Sequence, residues 1–299
     1  MRKLHTGFWA ILATAVIYGS FGIMARFLND GFGYYSQILV RASIALLIAG
    51  ILVVLNKVSF KLSKSQLIKI IALGTAYFWG TTAFTIGSNM SKISVLLFMM
   101  YVGSFTTTLI ASAVFFKEKL TFTKVIALVV VLTGLSLTFN FNFNDFSIGA
   151  LLGVLCGVSD SVGNALRKSL GSVNRDLVLT IQFLIAIAWA GLLILLTQEI
   201  IIKEINTKVV IAAIAFGLAL VLSGKLLLKG FKKIDFTVGQ IVLSSEIFFA
   251  TLLSFLFFLE TPTGSELLGG ILIFIGVSLV NFNLDPFWNK LLGKEKTSH

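Results

Sequence analysis

The chain has 299 residues, 57% of them hydrophobic and 12% charged, with 28 Phe, 2 Pro and a net charge of +11. Soluble domains are about 25% charged, so this composition, with a mean hydropathy of +0.98, excludes a soluble globular protein and makes lipid the solvent for much of the surface. Low charge, continuous apolar runs and a single cysteine, Cys156, also exclude disorder, a coiled coil and a disulfide scaffold. The Lys and Arg residues fall between apolar runs rather than on one folded face, so no nucleic-acid partner is expected.

Ten windows of about 20 mostly apolar residues, the length that crosses a bilayer core, follow one another along the chain. The first, Gly7–Leu28, lacks a small-residue cleavage site and reads as a spanning helix, not a cleaved signal. Further spans are predicted at Tyr35–Leu55, Leu67–Met90, Ser94–Phe116, Leu120–Phe139 and Ile148–Leu166. The last four are Leu177–Leu196, Val209–Gly230, Phe236–Leu259 and Pro262–Phe282. The connections between them are too short for an extramembrane domain of ordinary size.

Short loops rich in Lys and Arg stay cytoplasmic. With the N-terminus inside, 18 of the 24 Lys and Arg lie on the cytoplasmic side, Arg167 and Lys168 among them. Arg26, Lys92, Lys203 and Lys208 lie opposite, and Arg41 and Lys225 fall within spans. Both termini are therefore expected in the cytoplasm of a multi-pass plasma-membrane protein, and the compact chain suggests a bacterial inner membrane.

A shift of 142 residues aligns the fourth and fifth spans with the ninth and tenth without a gap. It brings Ser112, Glu118, Thr121, Gly134 and Ser136 onto Ser254, Glu260, Thr263, Gly276 and Ser278. A shift of 141 pairs Ser20, Gly22 and Arg26 with Ser161, Gly163 and Arg167. The predicted fold is thus an all-α polytopic membrane protein of ten helices in two five-helix repeats, residues 1–140 and 141–299. Five is odd, so the second repeat enters the membrane from the other side, an arrangement that suits alternating access around a midplane site.

Ionisable groups inside a membrane are costly enough to mark function. At 1.5 Å per residue, Glu246 lies about 15 Å past Phe236 and Asp160 about 18 Å past Ile148, near the middle of a core about 30 Å thick. A carboxyl group held there without a cation can take up and release a proton, so Asp160 and Glu246 are the candidate coupling and substrate-binding groups. The competing reading makes each a fixed ion pair with Arg41 or Lys225, the two supporting charges. Polar stripes at helical spacing suggest a cavity: Gly74, Tyr77, Thr81, Thr85 and Ser88; Tyr101, Ser104, Thr108 and Ser112; Gly153, Gly157, Asp160 and Asn164. Close helix packing by small residues is the alternative for their Gly, Ser and Thr members. Tyr18, Trp79, Tyr101 and Asn164 complete the candidate substrate contacts, while Trp9 and Trp288 read as interface anchors. Glu118 and Glu260 read as helix-end residues, and Lys229, Lys232 and Lys233 as topology signals able to touch anionic lipid.

The chain resembles the drug/metabolite transporter superfamily, in particular its EamA-type members. The resemblance lies in the turn Tyr18-Gly19-Ser20, in Arg41, in Phe116-Lys117-Glu118-Lys119-Leu120, in Glu246 followed by Glu260, and in Gly269, Gly270 and Gly276 of the closing span. Phe105 and Ile247 stand where the family usually has Pro, and Tyr18 where it usually has Trp. The resemblance implies ten spans and secondary transport of a small organic metabolite such as an amino acid, amine or drug-like compound, by proton-coupled export, from a monomer or homodimer. Nucleotide sugars and quaternary amines are the alternative cargoes. No Walker-type loop appears, and no HExxH or GxSxG motif accompanies the terminal His5 and His299, so neither ATP drive, an intramembrane enzyme nor a cofactor or metal is expected. A channel is the remaining alternative, and the internal repeat argues against it.

Overall fold

The computed structural model describes residues 2–90, 93–139, 148–200, 202–258 and 262–279. Lys92, Glu260 and Trp288 lie outside the described residues, as do the side chains of Arg26, Ser88 and Ser254. Every described element of regular structure is helical apart from one isolated bridge, Phe32 to Ile202. Among the described residues nine stretches are long and apolar enough to cross a membrane, and a tenth apolar helix, Gly264–Leu279, has 16 described residues. Large apolar side chains such as Val54, Phe115 and Leu195 are more than half exposed, as lipid-facing positions require.

The first span is two helices, α1 (Arg2–Gly19) and α2 (Phe21–Gly31). The next five are α3 (Tyr34–Leu55), α4 (Lys64–Met90), α5 (Ile93–Val114), α6 (Phe122–Phe139) and α7 (Ile148–Ser169). There follow α8 (Arg175–Thr197) and α9 (Thr207–Phe231), then α10 (Phe236–Leu243) and α11 (Glu246–Phe258), which share the ninth span, and α12 (Gly264–Leu279). Two predicted helices are therefore broken, and serines explain both. Ser20 turns its hydroxyl onto Ile17 O at 2.6 Å, while Ser244 and Ser245 bond Ile241 O and Val242 O at 2.7 Å each. Side chains that take up carbonyls of the preceding turn compete with the helical ladder and bend it.

The helix contacts obey the repeat. Exchange of span 1 with 6, 2 with 7, 3 with 8, 4 with 9 and 5 with 10 turns the α4·α7 contact into α1·α9, and α4·α8 into α3·α9. It turns α5·α7 into the contacts of α1 with α10 and α11, and it leaves α3·α8 and α6·α12 unchanged. The α6·α12 seam shows the symmetry atom by atom. A Cβ on Gly134 would lie 2.7 Å from Gly269 O and 2.9 Å from Ile273 N. One on Gly276 would lie 2.9 Å from Ala127 O and 3.3 Å from Val131 N. Each of these partners is the 142-residue image of the other's.

Two apolar cores result. One gathers α2, α3, α4, α8 and α9 around Phe78, Phe183 and Phe216. The other gathers α1, α5, α6, the end of α9, α10, α11 and α12 around Phe231, Phe236 and Leu135. The first and sixth spans run between them: Leu166 and Leu170 of the sixth-span region pack on the first core, and Ala165 on the second.

Helix ends are capped across the repeats. Glu118, just past α5, accepts hydrogen bonds from Phe236 N at 2.7 Å and Thr237 N at 3.3 Å at the start of α10, and pairs with Lys168 Nζ at 3.2 Å. This is the helix-end role read from the sequence. Glu199, just past α8, does the same for α3, accepting from Tyr35 N and Ser36 N at 2.9 Å and from Ser36 Oγ at 2.7 Å. Gly33 makes room for it, since a Cβ there would lie 2.5 Å from the Glu199 carboxylate.

Candidate functional site

The polar groups concentrate between the two cores. On α7, Asp160, Asn164 and Arg167 are spaced i, i+4, i+7, so they share one helix face. Arg167 Nη1 donates to Asn164 Oδ1 at 2.6 Å, and Asn164 Nδ2 donates to Asp160 Oδ2 at 3.1 Å. The amide thereby connects guanidinium and carboxylate. Arg167 is buried, its chain running back along α7 towards the membrane interior instead of out to water. This corrects its assignment to a cytoplasmic loop.

Glu246 is the first residue of α11, so the break in the ninth span places its carboxylate at a helix N-terminus, where the backbone dipole favours negative charge. It accepts a hydrogen bond from the hydroxyl of Tyr101 on α5. Tyr18 comes from the last turn of α1, where Gly19 lets the backbones meet: a Cβ on Gly19 would lie 2.9 Å from Ala250 N of α11. The two broken helices therefore cross beside Glu246. Asp160 and Glu246 lie within electrostatic range of each other and of Tyr18 and Tyr101.

The remaining candidates separate. Arg41 is buried in α3 with its guanidinium 4.6 Å from the Phe216 ring, and its Nε has no hydrogen-bond partner. Tyr77 of α4 lies within electrostatic reach of both Arg41 and Arg167, and so joins this group to the α7 face. Lys225 instead bridges Asp176 Oδ1 at 2.7 Å, and Asn56 Nδ2 donates to Asp176 Oδ2 at 3.1 Å. Lys225 thus serves the ends of α3, α8 and α9, not the midspan acids. Among the described ion pairs neither Asp160 nor Glu246 is bound to Arg41 or Lys225. Trp79 also stands apart, 42% exposed with its ring on Phe78 and Trp189. Trp9 is exposed on α1.

The stripes divide by residue type. A Cβ on Gly157 would lie 1.8 Å from Met100 O, and one on Gly153 2.5 Å from Leu96 O, so these glycines let α5 and α7 touch backbone to backbone. Thr108 and Ser161 share a hydrogen bond of 2.9 Å, as do Ser112 and Thr237 at 2.8 Å. Small and hydroxylated members join helices. Tyr101, Asp160 and Asn164 instead carry the hydrogen bonds of the candidate site.

The chain matches the EamA-like transporter family twice, over residues 5–140 and 147–282. It belongs to that family. Membership makes it a multi-pass membrane protein of the drug/metabolite transporter type, with the two-repeat architecture that the helix contacts display. No curated protein matches the chain. Its fold is similar to that of a protein solved by crystallography, at a TM-score of 0.77 and 16% identity over 93% of this chain and 97% of the other.

In this EamA-family chain, sequence reasoning overlooked Arg167. Two signals pointed to it: its 141-residue match to Arg26, and its position seven residues after Asp160 on one helical face. Its place one residue past the predicted end of the sixth span, Leu166, made it resemble a loop charge.

Proposed function

We propose that this transporter exchanges protons for a small zwitterionic or cationic metabolite, an amino acid or an amine, and exports it from the cytoplasm. The observation that carries the reading is the hydrogen bond from Tyr101 to Glu246 beside the crossing of the two broken spans, with Asp160 and Tyr18 within electrostatic range of it. Two carboxyl groups in one low-dielectric site repel each other when both are ionised, so one negative charge is readily exchanged between a proton and a substrate ammonium group. The half-helix start at Glu246 and the relay from Arg167 hold the ionised forms ready. Arg41, buried with no acidic partner among the described ion pairs, is suited to a substrate carboxylate.

In this reading the two five-helix repeats, 1–140 and 141–299, exchange conformations around the site, and the basic loops hold both termini in the cytoplasm of a bacterial inner membrane. Neither a cofactor nor a second kind of chain is needed; the protein works in lipid as a monomer or homodimer.

The test is flux in proteoliposomes carrying an imposed pH gradient, with amino acids, amines, quaternary amines and nucleotide sugars as cargoes. A pH gradient should drive movement of an amino acid or amine, and Asp160→Asn and Glu246→Gln should each remove that dependence. Unchanged pH dependence in both variants sinks the proton-exchange reading, and selective movement of a nucleotide sugar sinks the cargo class.

A further inference from the structure

A groove of about 500 Å³ runs along the outside of the bundle between α3 and α9, away from the acids. Its inner part is apolar, walled by Ile48 and Leu52 of α3 and Leu218 and Leu222 of α9. Its mouth carries Lys225 and Lys229, one turn apart on α9, and Arg175 from the first turn of α8. From Leu218 to Lys229 the axis advances about 16 Å. The groove thus passes from wholly apolar wall to cationic mouth within half a bilayer.

The charges at the mouth do not cancel. Asp176 neutralises Lys225 through their 2.7 Å contact. Among the described residues Arg175 and Lys229 have no ion-pair partner and both are exposed. Arg175 also stands at the positive end of α8, where the helix dipole disfavours a cation, so helix stability does not account for it. The mouth opens on the face where α3, α5, α7 and α9 end, the side that gathers the basic loops.

We propose that this groove is a binding site for one anionic phospholipid, its phosphodiester held by Arg175 and Lys229 and an acyl chain laid along Leu218 and Leu222. Charge complementarity selects the occupant. A substrate amine is repelled by the mouth, a zwitterionic lipid brings no net charge, and free phosphate leaves the apolar length unfilled.

Native mass spectrometry of the detergent-purified protein, titrated with phosphatidylglycerol, phosphatidylcholine or inorganic phosphate, tests the site. Phosphatidylglycerol should be retained about tenfold more strongly than phosphatidylcholine, and R175Q/K229Q should abolish the preference. Loss of two cations elsewhere on the same face, in K117Q/K119Q, should leave it intact. Leu222→Trp, at a lipid-exposed position, should fill the groove and release the lipid with both cations present. Equal retention of the two lipids by the unaltered protein overturns the proposal. So does retention of phosphate without lipid, an equal loss in K117Q/K119Q, or undiminished retention in Leu222→Trp.

Discussion

The hydroxyl of Tyr101 donates its hydrogen bond to Glu246, joining α5 to the first residue of α11. A hydrogen bond to a charged group contributes about 1.5–3 kcal/mol, and removing one partner leaves the other exposed to its desolvation cost. Tyr101→Phe keeps the ring and its contact with Phe105, whose centroid is 5.8 Å away. We expect this variant to fold, to lose roughly 1–3 kcal/mol of stability, and to lose flux further. Thermal melting and proteoliposome flux at matched protein levels are the measurements. Flux equal to that of the unaltered protein would separate Glu246 from transport.

Among the described hydrogen bonds Arg167 is joined to Asp160 through Asn164, so Asn164→Leu breaks the relay without touching either charge. The expected outcome is a transporter that loses roughly 1–3 kcal/mol of stability and whose pH profile moves, with Arg167→Gln moving the profile the same way. A folded Asn164→Leu protein with an unaltered pH profile would assign the relay to structure alone.

Glu118 holds two backbone N–H groups of α10 and the Lys168 ammonium while itself mostly buried. Glu118→Ala should lower stability by roughly 2–4 kcal/mol, because a part-buried ammonium and two donors lose their acceptor together. Glu118→Gln keeps one acceptor oxygen and should cost about half as much. Melting temperatures of the two variants in one detergent decide the order.

Close packing makes its own forecast at the glycines. With Met100 O 1.8 Å from the would-be Cβ, Gly157→Ala forces α5 and α7 apart, and overpacking of this kind costs roughly 1–3 kcal/mol or more. At Gly50 on α3 nothing lies within 4 Å, and Gly50→Ala should change stability by less than about 1 kcal/mol, in the stabilising direction. Folded yield and melting temperature distinguish the two, and equal effects would contradict the α5·α7 contact.

Gly33 and Glu199 act as one unit, because the carboxylate occupies the place of the missing Cβ. Gly33→Ala and Glu199→Ala should each destabilise by about 1–2 kcal/mol. Their double variant should fall short of the sum, as expected for a shared partner.

The spans and the repeat were legible because each rests on a signal that survives in one dimension: hydropathy over a window, and matched spacing. The broken spans were harder, since Ser20, Ser244 and Ser245 look like ordinary small residues until their hydroxyls take carbonyls from the preceding turn. Lys225 and Arg167 were exchanged in role for a related reason. Depth counted along a helix axis says where a Cα lies, whereas a long basic chain sets its charge several ångströms away, and only the positions of Asp176 and Asn164 reveal which way each one turns. Glycines of the stripes could not be told apart from cavity lining, because both uses require the same missing side chain.

The α6·α12 seam is the one large contact besides α3·α8 that the exchange of halves carries into itself. Gly134 and Gly276 grip it at two image points. When two halves trade shapes, a contact lying on their axis has the same form before and after, while every off-axis contact must become its counterpart. Under the proposed exchange of halves the seam would serve as a hinge pin that keeps one packing throughout. Its glycine-tight packing is the kind of joint that can turn without loosening.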